Sequence, residues 1–184
     1  DDSYADKPAI GLRRHIVASP GQEAFQFNMP HPSQLHKNKH SAGWGRMPGF
    51  MLRHEVKNTK EASEFIVIHE GWQGKPYITK VNRLPKKYGS ANALAVEIVL
   101  PNRKDIIVMS TDNNVATYKG AGIDFKGRFG FISNKTDGKA DGVLIGGTKL
   151  AAGKVNYTLE KGEYSGNITG SERRWRGKEA DGLF

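Results

Sequence analysis

The chain has 184 residues, 37% of them hydrophobic, with 22 glycines, 8 prolines and no cysteine. That is about one domain's worth of chain, turn-rich, with no disulfide framework, no thiolate metal site and no apolar run near the ~18 residues a membrane span requires. Twenty-eight Lys and Arg against 19 Asp and Glu give a net charge of +9, a field that concentrates polyanions of any kind without choosing among nucleic acid, anionic lipid and acidic polysaccharide.

In chain order, the amino terminus begins Asp-Asp-Ser-Tyr and has neither a basic n-region nor an apolar h-region. Residues 10–18 and 24–27 read as strands around the turn at Pro20 and Gly21. From 29 to 49 the pattern fails among Pro30, Pro32, Pro48, Asn38, Gly43 and Gly45. A basic loop of about twenty residues is expected there, of the kind that tends to carry function. Residues 50–56 and 64–69 are expected to pair with each other, the apolar run 65–68 as a central strand covered on both faces. Residues 77–81 alternate as a strand, 86–89 form an exposed turn, 91–100 and 105–109 form a hairpin about Pro101-Asn102, and 115–118 are a short link. The stretch 122–159 holds three short apolar runs, each closed by Asp-Gly, Gly-Gly or Lys-Gly turn chemistry, and reads as a β-meander. Residues 171–184 are charged and aperiodic, a basic tail or the start of a truncated continuation.

The expected fold is all-β: an antiparallel β-sandwich of two stacked sheets with about ten to twelve strands, a single domain over 1–170. Glu97, inside an apolar strand, is expected on the outer face. Gly120, Gly122, Gly127 and Gly130 are expected at turns or bulges.

The spacings that carry chemistry elsewhere are missing. His36 and His40 stand four apart, which gathers two imidazoles only on a helix, and no helix is expected among their Pro, Asn, Lys and Gly neighbours. His69-Glu70 is not a metalloprotease motif, because Gln73 stands where the second His would be. There is no nucleophile elbow, phosphate loop or dinucleotide fingerprint. The tyrosines are explained by strand propensity. No catalytic residue, metal ligand or cofactor is assigned. Arg-Arg-Trp-Arg (173–176) interleaves cations with an aromatic, as a base-stacking platform does, but no nucleic-acid-binding signature accompanies it.

Several segments together carry a family likeness. Ser-Glu-Phe-Ile-Val-Ile-His-Glu-Gly-Trp-Gln-Gly-Lys-Pro-Tyr-Ile-Thr-Lys-Val (63–81) is followed by Ala-Leu-Ala-Val-Glu-Ile (93–98) and Asp-Ile-Ile-Val-Met-Ser (105–110). Then come Gly-Ile-Asp-Phe-Lys-Gly-Arg-Phe-Gly-Phe-Ile (122–132), Leu-Ile-Gly-Gly-Thr-Lys-Leu (144–150), Gly153 and Tyr-Ser-Gly-Asn-Ile-Thr-Gly (164–170). In this order, over roughly 48–170, they resemble the C-terminal β-sandwich region of heparinase II/III-like polysaccharide lyases. The resemblance implies a protein that pairs an α/α-toroid with stacked antiparallel sheets and cleaves acidic polysaccharide by β-elimination. It further implies a periplasmic or extracellular location. The acid, base and carboxylate-neutralising groups of that reaction belong mostly to the toroid and early sandwich, which this chain does not match, so no activity is expected from it alone.

The reading that follows is a non-catalytic sandwich module that packs on a catalytic toroid domain, contacts acidic polysaccharide, or does both. The expected glycan contacts are His36, Lys37, Lys39, His40, Trp44 and Arg46 of the long loop, with Trp72 and Lys75 after it. Aromatic faces stack on sugars, and Lys and Arg meet uronate or sulfate. The competing reading, slightly favoured, is that Trp44 and Trp72 simply cap the core and bind nothing. A stand-alone carbohydrate-binding or scaffold domain is the alternative, and a basic nucleic-acid binder using 173–178 is a third.

Overall fold

The computed structural model describes residues 8–29, 47–58, 63–160 and 166–169. These form fifteen strands: β1 Ile10–Val17, β2 Gln22–Met29, β3 Met47–His54, β4 Ile66–Gln73, β5 Lys80–Arg83, β6 Tyr88–Gly89, β7 Ala93–Leu100, β8 Arg103–Ser110, β9 Ala116–Gly120, β10 Ile123–Gly127, β11 Phe129–Lys135, β12 Ala140–Ile145, β13 Lys149–Ala152, β14 Val155–Thr158 and β15 Gly166–Thr169. No helix occurs among the described residues. By compactness the chain divides into two units, one holding the described residues up to His15 and from His69 onward, the other Ile16–Ile68.

The larger unit contains an antiparallel β-sandwich. One sheet has five strands in the order β14-β13-β10-β9-β6, the other six in the order β15-β12-β11-β8-β7-β5. Strand alternation turns one set of side chains from each sheet inward. Ala116, Tyr118, Ile123, Phe125, Leu150, Ala152 and Val155 come from the five-stranded sheet; Ala93, Ala95, Ile106, Val108, Ile132 and Leu144 come from the six-stranded one. The Phe125 ring fits because Gly130 faces it: a Cβ there would stand 2.8 Å from Leu150, 2.9 Å from Val108 and 3.2 Å from Phe125. Gly130 is thus a packing position within β11, not the turn or bulge expected of it. Tyr118 is fully buried, and its hydroxyl donates to the Leu84 carbonyl at 3.1 Å, so its polar tip is satisfied.

Stretch 122–159 is not one meander. β10, β13 and β14 belong to the five-stranded sheet, while β11 and β12 belong to the six-stranded one. The chain changes sheet between Gly127 and Phe129 and returns through Gly146 and Gly147. Short apolar runs look alike in either layer, so their rhythm does not reveal which layer each joins. The expected link at 115–118 is β9, second from the edge of the five-stranded sheet, and the expected turn at 86–89 contains β6, which pairs with it. Gly89 permits that pairing through a φ of +128°, a region open to glycine. Glu97 shares the inner face with Ala93 and Ala95, contrary to expectation. It sits where the sheet margin opens, accepting from Asn82 at 3.1 Å, with the Lys104 ammonium 3.8 Å away.

The smaller unit holds the antiparallel β2–β3 hairpin, in register from Gln22 opposite His54 to Met29 opposite Met47. Arg53 donates from Nε and Nη2 to Glu23 at 2.9 and 2.5 Å, and its guanidinium lies 5.5 Å from the Phe25 ring centroid. β1 and β4 pair as a further two-stranded sheet. β4 therefore pairs with β1, not with the strand at 50–56. Nor is it a central strand among the described residues: β1 is its one neighbour there, and Phe65 just before it is 44% exposed.

Candidate functional site

Among the described residues, the most buried charge in the larger unit is Glu70 of β4, 1% exposed. Its Oε2 accepts from Arg13 Nε at 2.7 Å and faces His15 Nε2 at 2.9 Å. Its Oε1 accepts from the main-chain N–H groups of Tyr77, at 2.5 Å, and Ile78, at 2.7 Å. Arg13 also donates from Nη2 to the Ile78 carbonyl. Two side chains thereby satisfy both backbone groups of Ile78, which is why 77–79 need not extend β5 as a strand. Burial pushes the Glu70 carboxyl up, but the hydrogen bonds from Ile78, His15, Tyr77 and Arg13 together outweigh it and hold the pKa at about 2. With all its acceptor positions engaged and so low an affinity for protons, Glu70 is an anchor rather than a general base.

Of the glycan contacts expected from sequence, His36, Lys37, Lys39, His40, Trp44 and Arg46 lie outside the described residues, as does the 173–178 cluster. Trp72 lies in β4, half-buried, its indole so close over Gly11 of β1 that no Cβ could fit there. Lys75 stands exposed in the following turn. The structure does not bring Trp72 and Lys75 to the surface described next.

That surface is the outer face of the five-stranded sheet. Register places Tyr88, Lys119, Asp124, Ala151 and Asn156 in one row across β6, β9, β10, β13 and β14. Thr117, Lys126, Lys149 and Thr158 form the adjacent row. These residues alternate with the buried Tyr118, Phe125, Leu150 and Val155, which is what turns them outward. Asp124 is the single acid in the two rows; its Oδ2 lies 2.5 Å from Lys149 Nζ and 3.6 Å from Lys119 Nζ. Ala151 puts only a methyl between Asp124 and Asn156, and an open hollow of about 350 Å³ lies there, lined also by Gly122, Gly153 and Lys149.

At the sheet edge Tyr88 is 63% exposed, with Lys87 Nζ 5.4 Å from its ring centroid. The preceding Lys86 is committed elsewhere: its ammonium donates to the carbonyls of Ser90, Ala91 and Ala93. The face thus combines an exposed aromatic ring with the cations Lys87, Lys119, Lys126 and Lys149. Such a surface can stack a sugar ring and pair with its anionic substituents. Sequence reasoning missed these residues because each comes from a different strand. The usable signal was alternation, with Lys119, Lys126 and Lys149 each neighbouring a core residue, but only register shows that these three share a face.

Residues 78–168, just under half of the chain, match the family model described as the endo-acting ulvan lyase C-terminal domain. Comparison with curated proteins and with solved structures gave no match. The matched residues hold nearly all of the sandwich, including the whole basic face. Over this region the chain is similar to the C-terminal domain of a polysaccharide lyase, a likeness that does not single out the heparinase II/III-like group.

Proposed function

We propose that this chain is a non-catalytic β-sandwich module of a polysaccharide lyase and that it contacts acidic polysaccharide. The observation that supports it is the outer face of the five-stranded sheet, with four lysines, one acid and an exposed tyrosine inside the matched residues. The finer reading is a parent lyase of the heparinase II/III-like kind, periplasmic or extracellular, with a catalytic toroid domain against which the module packs. The half-buried apolar outer face of the six-stranded sheet, with Ile107, Phe129, Phe131, Val143 and Ile145, favours a packed module over a stand-alone binding domain. His36, Lys37, Lys39, His40, Trp44 and Arg46, with Trp72 and Lys75, are proposed as a second contact area.

Chromatography on immobilised heparin, alginate and DNA at graded salt tests the reading. Retention on a glycan at salt that releases the chain from DNA is the expected result. Common release from all three near physiological salt would leave only unspecific charge. Trp44→Ala tests the second area by the same elution. The absorbance of an unsaturated uronate product, expected to stay flat with this chain alone, tests the absence of lyase activity.

A further inference from the structure

The row Thr117, Lys126, Lys149, Thr158 is arranged at a cost. Lys126 and Lys149 stand directly opposite each other on β10 and β13, with backbones about 5 Å apart, and like charges so placed disfavour the sheet. Asp124 relieves Lys149 by the 2.5 Å contact but does not pair with Lys126. Lys126 is exposed and has no acidic partner among the described residues. A hydroxyl flanks the lysine pair on each side, Thr117 opposite Lys126 and Thr158 opposite Lys149. Two residues after Lys126, the Arg128 guanidinium lies against Gly146, where a Cβ would collide with it. The row thus runs hydroxyl, ammonium, ammonium, hydroxyl across four strands; Lys149 donates to Asp124 and Thr117 Oγ1 lies 3.2 Å from Ser90 Oγ, which leaves Lys126 as the ammonium of the row without an acidic partner among the described residues.

We propose that this row is an oxyanion-binding site, taking a carboxylate or sulfate group of a polysaccharide between the Lys126 and Lys149 ammoniums. The proposal rests on the accessory-module reading and deepens it by naming where the polysaccharide is held. An oxyanion there removes the repulsion between the two lysines and accepts from both, and charge-assisted bonds of that kind are the strong ones. The polysaccharide then crosses the strands. The hollow beside Ala151 receives a sugar in the adjacent row, and Tyr88 offers a stacking face at the sheet edge. Asp124 holds Lys149 in position but also opposes the ligand's charge, so the two roles have opposite signs and can be separated.

The test is affinity electrophoresis of the full chain through gels containing alginate (carboxylate only), dextran sulfate (sulfate only) or neutral dextran. Wild type is expected to be retarded by at least one polyanion and not by dextran. Retardation by one alone assigns the group; retardation by both supports a general oxyanion site. Lys126→Ala with Lys149→Ala is expected to weaken binding at least tenfold, and Lys126→Arg with Lys149→Arg to restore it. Asp124→Asn is expected to strengthen binding severalfold, whereas a merely structural Asp124 would weaken it. The control Lys104→Ala with Lys139→Ala removes the same charge outside the row. If the control weakens binding as much as the row variant, or Asp124→Asn weakens it, the site is overturned while the accessory-module reading stands. If wild type is retarded by neither polyanion, both fall.

Discussion

The two sheets share one core and the same alternation, yet their outer faces are opposites. Away from the core, the five-stranded sheet presents Thr117, Lys119, Asp124, Lys126, Lys149, Asn156 and Thr158. The six-stranded sheet presents Leu94, Met109, Phe129 and Ile145 in one row, and Val96, Ile107, Phe131 and Val143 in the next. Leu94 and Val96 are buried, and Phe129, Phe131, Val143 and Ile145 are half-buried. An antiparallel sheet with one solvated face alternates apolar and polar, whereas a sheet covered on both faces runs continuously apolar. The comparison therefore teaches that one sheet carries charge on a solvated outer face, while the other carries a largely apolar outer face.

The largest expected effect strikes what the faces have in common. Phe125→Ala empties a fully buried ring position between the sheets and should cost about 3–5 kcal/mol in urea unfolding. A loss below about 1 kcal/mol would mean the layers do not share that core. Next, Glu70→Gln contrasts a buried charge with a surface one. It leaves Arg13 and His15 without their carboxylate, and breaking such a buried pair costs about 3 kcal/mol. Because the folded pKa of Glu70 is about 2 against an ordinary 4.5, its ionic contribution is complete above 4.5 and drains away as pH falls toward about 2. Urea midpoints measured between these values should fall with pH in wild type and more shallowly in the variant; equal slopes would refute the anchor.

Phe131→Ser then probes the apolar face directly and should cost about 1–2 kcal/mol, the loss of a partly buried aromatic side chain. Lys126→Ala, on the opposite face, should change stability by no more than about 0.5 kcal/mol, and in the stabilising direction, because it removes a like-charge pair. Equal costs at these two positions would erase the distinction between the faces. Tyr88→Ala is the mildest: unfolding unchanged, and glycan retardation reduced about three- to tenfold through the lost stacking face.

Legibility differed along the chain for physical reasons. The hairpin of β7 and β8 was plain, since eight-residue strands flank Pro101-Asn102 and local turn chemistry sets their pairing. β6 was hidden because Lys86-Lys87-Tyr88-Gly89 has the composition of a turn, and only its pairing with β9 makes two of those residues a strand. Glu97 misled because a charge in an apolar run is expected outside, yet the margin of a sandwich can satisfy it with Asn82 and Lys104. The expected contacts clustered in a loop because sequence displays neighbours along the chain, whereas Lys119, Lys126 and Lys149 become neighbours only across strands.

Composition, turn residues and short β-branched runs were enough by themselves to determine an all-β chain of stacked antiparallel sheets, because those signals act over a few residues. Which strand joins which layer, which face meets water, and which lysines oppose one another were decided by tertiary structure alone. Those outcomes depend on hydrogen-bond register between segments distant along the chain, and a single-residue slip of register would turn every side chain of a strand to the other face.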